Sequence, residues 1–421
     1  MTTSSSGPRA AFISVTTLFF AWGFITAMID PLIPSVRAIF SLSYAESMLT
    51  QFAFFMAYGV VSLPAAALVA RAGYGRSILL ALAAMVAGCL VMPLATHLRT
   101  YELVLVALFI IASGITVLQV AANPLAAALG PPERSHFRLT FSQAFNSLGT
   151  VIAPYLGAMV MLRGGLFTEG GSGAAAQGES LRNIDTSFLI IVVMIVLLGL
   201  LIWRFRARLE AAATAPAGGA TASPLAALTS RWAVLGAAAI FLYVGAEVSI
   251  GSIMINFLHQ SDVLGVTLVR AGQLLSLYWM GAMVGRFIGS ALLTRVPAAR
   301  LLAVAAAVAA LLCFTVSQVG GGLAAWAAIA VGLFNSIMFP VIFTVTLERS
   351  TASSAATSGL LCMAIVGGAI LPVVAGLIAD SVGLHAAFLL PMAAYAFISV
   401  FAMAAAKARV VANGGSPEMA H

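Results

Sequence analysis

The stretch TSFLIIVVMIVLLGLLIW (186–203), closed at once by RFRAR (204–208), decides the fold class. Eighteen residues pass without a charge, and at about 1.5 Å per residue such a helix covers most of the ~30 Å hydrocarbon core of a bilayer. Outward from it, comparable apolar runs recur along the whole chain, separated by charged or Gly/Pro punctuation. Twelve candidate spans lie near 11–36, 46–70, 76–96, 101–128, 137–163, 185–207, 231–258, 266–294, 298–318, 322–347, 353–379 and 384–407. Composition agrees: of 421 residues 62% are hydrophobic and 8% charged, whereas a soluble domain carries about 25% charge. A water-soluble globule is excluded. Open sheet edges cannot lie in lipid, and the alternating ten-residue segments of a membrane barrel are absent, so helices are the consistent element. The expected fold is an all-α membrane protein of twelve transmembrane helices.

Twenty basic and thirteen acidic residues leave a net charge of +7. The basic residues are scattered and form no patch, so nucleic acid is not an expected partner. Their placement is informative. With the N-terminus inside, Arg9, Arg71, Arg76, Arg134, Arg138, Arg204, Arg206, Arg208, Arg231, Arg286, Arg295, Arg300, Arg349, Lys407 and Arg409 fall inside. Arg37, Arg99, Arg163, Arg182 and Arg270 fall outside, a positive-inside split that predicts two cytoplasmic termini and an even number of spans. The apolar run after MTTSSSGPRA is too long for a signal-peptide core and is read as a retained first span of an inner-membrane protein. A Gly-rich outer loop, 164–185, is expected to be a flexible connection. An Ala/Gly/Pro/Ser-rich linker, 209–230, divides an N-terminal six-helix unit (1–208) from a C-terminal one (231–421).

The two units repeat each other. Pro124 and Pro154 are answered by Pro340 and Pro372 at nearly the same separation, Gln119 by Asn335, Gly149 by Gly367, and Glu133-Arg134 by Glu348-Arg349. A duplicated six-span unit with parallel halves is the arrangement of the major facilitator transporters, in which substrate binds between the halves near mid-depth.

Function is read from polar residues that lipid does not tolerate. A carboxylate at the bilayer centre costs roughly 2.5 to 3.5 kcal/mol, so an intramembrane acid marks a functional site. Asp30, in AWGFITAMIDPLIP, and Glu247, in FLYVGAEVSIGS, are the two acids well inside spans. Asp30 is the candidate proton carrier. Glu247 is open to three roles: binding a proton or cation, hydrogen-bonding substrate, or anchoring one half to the other. Gln119 and Asn123 share a face of span 4, and Gln143 and Asn146 a face of span 5. Asn335 lies mid-span in helix 10. Side-chain amides both donate and accept, which suits sugar hydroxyls, while Phe24, Tyr58, Tyr278 and Trp279 offer aromatic faces for the C–H face of a ring. Gly281, Gly285 and Gly289 are expected to let helices approach closely, and Arg286, Arg295, Arg71 and Arg76 to form inner gates. Cys89, Cys313 and Cys362 have no ligand spacing and are expected to pack as small apolar groups. The five scattered histidines build no metal centre, and no H-E-x-x-H, Walker loop or G-x-S-x-G is present, so neither enzyme chemistry nor a cofactor or metal is expected.

FFAWGFITAMIDPLIP (19–34), AANPLAAALGPPERSHFRLTFSQAFNSLG (121–149), FLYVGAEVSIGS (241–252), GRFIGSALL (285–293), FNSIMFP (334–340) and GLLCMAIVGGAILP (359–372) resemble the fucose permease family of sugar:proton symporters, within the major facilitator superfamily. The resemblance covers both halves. It implies that Asp30 occupies the family's proton-coupling position in span 1 and that Gln143 and Asn146 are its sugar-contacting amides. It also implies a glutamate in span 4 where this chain has Gln119, an amide that exchanges no proton. Coupling then falls on Asp30, with Glu247 as the other acid. The expected function is proton-driven import of a hexose by a monomer; sodium coupling, uniport, and proton-coupled drug export by the same fold are the competing readings.

Overall fold

Each apolar run becomes helix, and the breaks in spans 1, 10 and 12 fall where proline removes a hydrogen-bond donor. In the computed structural model, residues 6–128, 135–168, 171–212, 224–293, 295–352 and 354–409 are described. Span 1 is two helices, α1 (Ser6–Ala27) and α2 (Ile29–Phe40), parted at Met28. Pro31 sits in the first turn of α2, where its missing N–H costs least. There follow α3 (Tyr44–Ala72), α4 (Tyr74–Leu98), α5 (Tyr101–Ala128), α6 (Ser135–Met161) and α7 (Gly173–Ala212). Beyond a short 3-10 turn at Pro224–Thr229 come α8 (Arg231–His259), α9 (Leu268–Leu293) and α10 (Ala298–Gln318). Span 10 is again broken, into α11 (Gly321–Asn335) and α12 (Met338–Arg349), with Pro340 in the first turn of α12. Span 11 is α13 (Ser354–Met363), a 3-10 turn and α14 (Gly367–Val382); span 12 is α15 (Leu384–Ala387) and α16 (Leu389–Lys407). Among the described residues ten helical segments are long and apolar enough to cross a membrane; α3 and α9, of 29 and 26 residues, complete the twelve.

Helix starts follow local chemistry. Ser43 accepts from the Glu46 N–H while the Glu46 carboxylate accepts from the Ser43 N–H, a capping box that fixes the entry of α3. Ser230 caps α8 and is in turn bonded by Ser350 and the Thr351 N–H, which ties the entry of α8 to the loop after α12.

Three expectations are corrected. The loop 164–185 is not a flexible connection, because α7 starts at Gly173: AAAQGESLRN holds good helix formers, and Asn183 and Gln177 donate to the carbonyls of Arg163 and Ile39. At its other end α7 runs to Ala212, past the expected linker start; residues 213–223 lie outside the described ones, as do Glu133 and Arg134. Cys89 and Cys313 are buried as expected, but Cys362 is exposed.

Helices α1–α7 pack mainly on one another, through α4 on α5, α1 on α6, α3 on α5 and α4 on α7. Helices α8–α16 do the same, through α10 on α16, α9 on α11 and α8 on α14. The bundles meet chiefly where α3 touches α14 and α6 touches α9. Lipid gives no hydrophobic drive between helices, so close contact rests on small residues. Gly23 and Gly149 bring the α1 and α6 backbones together, with Gly149 against the Phe20 carbonyl and Gly23 against Asn146. Its repeat partner Gly367 brings α14 against the Phe241 carbonyl of α8, the same contact in the second bundle. Gly281, Gly285 and Gly289 of α9 meet Leu333, Ser336 and Ile337 as expected. On α7, Leu189, Ile190, Val193, Leu197 and Leu200 form an exposed apolar stripe, as a lipid-facing surface requires.

Candidate functional site: the cavity between the bundles

The start of α1 and the end of α16 lie at one end of the bundles, termed here the terminal side. On the opposite side the bundles are pressed together. The Asp380 carboxylate at the end of α14 accepts from the Tyr44 and Ala45 N–H groups at 2.7 and 2.8 Å, capping the start of α3 across the bundle boundary. Gly376 of α14 lies against Ala45, and Gly272 of α9 against Ala158 of α6. Deeper, Gln51 donates to Ser252 Oγ at 3.0 Å, both buried. Trp279 Nε1–H donates to Asp30 Oδ2, also at 3.0 Å.

From mid-depth towards the terminal side the bundles part around a cavity of about 690 Å³, within the few-hundred-Å³ range of small-molecule sites. The first bundle contributes Trp22, Gly23, Thr26, Tyr58, Gln119, Gln143, Asn146 and Thr150; the second contributes Tyr243, Val244, Glu247, Arg286, Leu293, Ile337, Phe339 and Pro340. Three of the five expected amides, Gln119, Gln143 and Asn146, therefore share one wall. Gln119 donates to the Tyr58 hydroxyl at 2.9 Å, which fixes both side chains. Asn146 donates to the Phe19 carbonyl at 3.2 Å, and that bond is available because Gly23 lets α1 approach. Asn123 lies in α5, but its side chain is outside the described residues.

On the second wall Tyr243 OH donates to Glu247 Oε1 at 2.8 Å. Arg286 is a Coulombic neighbour of Glu247 and donates from Nη1 to Ser147 Oγ of α6 at 2.8 Å, bridging the bundles. The sequence suggests Arg286 as part of an inner gate; the structure places it on the cavity wall contributed by the second bundle, near Glu247. The signal was its position within α9, seven residues before the helix end.

The remaining expected residues lie elsewhere in this conformation. Tyr278 and Asn335 are fully buried inside the second bundle, where Asn335 Nδ2 donates to the hydroxyls of Tyr278 at 2.9 Å and Tyr395 at 3.3 Å. Tyr278 OH donates in turn to the Glu247 carbonyl at 3.3 Å, so the cluster stands behind Glu247 rather than on the cavity wall. Asn335–Tyr278 repeats Gln119–Tyr58: an amide on the fourth span bonded to a tyrosine on the second, once facing the cavity and once in the core. Asp30, 4% exposed, and Trp279 are off the cavity too, in the sealed contact between bundles. Thr26, one turn before Asp30, is on the cavity wall. Among the described residues no cluster of three acids, histidines or cysteines could hold a metal.

Comparison with known proteins agrees with this fold. The Major Facilitator Superfamily model matches residues 11–361. The chain is 42% identical over 406 residues to a glucose/galactose transporter of Brucella abortus, covering 96% of each chain. It is 31% identical to the L-fucose-proton symporter of Escherichia coli, covering 93% of this chain and 92% of the relative. A crystal structure of that organism's fucose:proton symporter, FucP, superposes with a TM-score of 0.68 at 28% identity, covering 96% of this chain and all of that one. Twelve membrane helices in two repeated bundles, a polar cavity between them and these matches together make the chain a member of the Major Facilitator Superfamily.

Proposed function

We propose that the protein is a secondary active transporter that imports a hexose of the glucose/galactose class by proton symport. The observation that carries this reading is the cavity of about 690 Å³ whose first wall presents Gln119, Gln143 and Asn146 beside Trp22 and Tyr58: donors and acceptors for ring hydroxyls next to flat apolar faces for the C–H edges. Relatives over nearly the whole chain that are named for glucose/galactose and L-fucose support the substrate class. In this reading the protein is a monomer in a bacterial inner membrane with both termini cytoplasmic, units 1–208 and 231–421 rock as two bodies, and the conformation described is inward-open.

Asp30 is the proton carrier. Seated between Trp279 and the bundle contact, it is occluded while the outer side is closed and meets the outer solution when α3 and α14 separate. Protonation there removes a buried charge, so loading a proton and closing the outer side favour each other. Thr26 and the break at Met28 join Asp30 to the cavity along span 1. Each inward-moving proton gains about 2.3 kcal/mol per 100 mV, which drives the cycle. The test is uptake into proteoliposomes with proton and sodium gradients imposed separately. Accumulation of glucose or galactose under the proton gradient alone is expected; accumulation that follows sodium, or mere equilibration, overturns proton symport. Competition by apolar drugs but not by hexoses overturns the sugar reading.

A further inference from the structure

The three amides of the cavity all belong to the first bundle, and a ligand held by them alone has no polar grip on the second. Yet occupancy must bias how one bundle sits on the other, since a ligand shifts a conformational equilibrium only through differential interactions. Tyr243, Glu247 and Arg286 are the polar side chains with which the second bundle faces the cavity. Tyr243 directs its hydroxyl hydrogen to Glu247. That leaves Arg286 as the strong donor on that wall, with five N–H groups in a planar fork. It already reaches across the cleft: its Nη1 donates to Ser147 Oγ at 2.8 Å. Ser147 also donates to the Gln143 carbonyl at 3.2 Å, so its hydroxyl keeps a partner if the guanidinium turns away.

We propose that Arg286 is the sugar-binding residue of the second bundle: a ring hydroxyl replaces Ser147 as its acceptor, and the facing Glu247 balances its charge so that the pocket takes neutral hexoses and rejects sugar acids. The inference rests on the sugar reading above and deepens it. A hydroxyl held between Gln143 or Asn146 on one wall and Arg286 on the other links the bundles through the substrate itself. The charge argument is independent of sugar stereochemistry. Among the described residues lining the cavity there is one base, Arg286, and one acid, Glu247, and a carboxylated sugar would add a second negative charge beside Glu247, where like charges repel.

The experiment is calorimetric titration of the purified full-length transporter in detergent with glucose, galactose and glucuronate. If the unaltered protein binds neither hexose, the sugar reading fails, and this proposal with it. Given hexose binding by the unaltered protein, Arg286→Gln is expected to weaken it about tenfold or more, the loss expected for a charge-assisted hydrogen bond. Ser147→Ala is expected to tighten it, because it removes the competing acceptor. Glu247→Gln is expected to admit glucuronate. Hexose binding by Arg286→Gln equal to that of the unaltered protein overturns the proposal. So does equal weakening by Ser147→Ala and Arg286→Gln, which marks the pair as a structural clasp only. If Arg286→Gln does not fold, Arg286→Lys decides: it keeps the charge and loses the fork, and unchanged hexose affinity in it counts against the assignment.

Discussion

At the scale of single residues, the proposed cycle divides labour between an acid that sits off the cavity and amides that line it. Asp30→Asn is expected to abolish accumulation of hexose against a gradient while leaving sugar exchange between the two faces measurable, because the neutral amide imitates the protonated acid. Gln119→Ala removes the donor to Tyr58 and one cavity amide; a loss of about 1 kcal/mol, roughly fivefold in sugar affinity, is expected in the same titration. Much of this wall was legible in the sequence. Gln119, Gln143 and Asn146 stand at helical spacings that put them on shared faces, and an amide inside lipid needs a reason. Tyr278 and Asn335 look the same in one dimension but face the interior of their own bundle, since the rotation of a helix about its axis is set by neighbours that no local pattern names. Arg286 lies seven residues from its helix end, and its side chain is long enough to reach either the membrane surface or the cavity, so its place was not legible in one dimension.

At the scale of elements, glycine contacts hold the bundles and prolines break their spans. Gly149→Val places a branched side chain against the Phe20 carbonyl. Overpacking of this kind costs about 1–3 kcal/mol, and a lower midpoint in thermal unfolding of the detergent-solubilised protein is the expected result. The twelve spans were legible because each needs about 20 apolar residues, a signal stronger than any turn or cap. Which proline breaks a span was not. Pro31 and Pro340 sit in first turns after a break, whereas Pro93 and Pro154 lie within continuous helices. Residue type marks both cases alike, so a proline alone does not tell a break from a continuous helix. The segment before span 6 was misread because its glycines outweighed its helix formers; α7 continues through it, held by the Gln177 and Asn183 bonds to neighbouring carbonyls.

At the scale of the whole molecule, the repeated Gly149/Gly367 and Gln119/Asn335 positions disclosed the duplication, and the structure gives both pairs matching neighbours: a carbonyl of the bundle's first span in one case, a tyrosine of its second in the other. Which end of the cleft is closed was not legible, because one sequence must support both states of an alternating-access cycle. The Asp380 cap on α3 is one of the contacts that seal the side opposite the start of α1 and the end of α16. Asp380→Ala leaves two N–H groups without that acceptor, a loss of about 0.5–2 kcal/mol for a helix cap. Opening of that side is therefore favoured, and a cysteine placed at Ser252, with Cys362 replaced by serine, is expected to react faster with a membrane-impermeant maleimide.

The central claim is that sugar and proton cross together through the cleft between the bundles, and lumenal pH in proteoliposomes tests it most directly. With no gradient imposed beforehand, addition of galactose or glucose outside is expected to acidify the lumen as sugar enters, and Asp30→Asn is expected to remove the acidification. Sugar entry at constant lumenal pH would contradict the account.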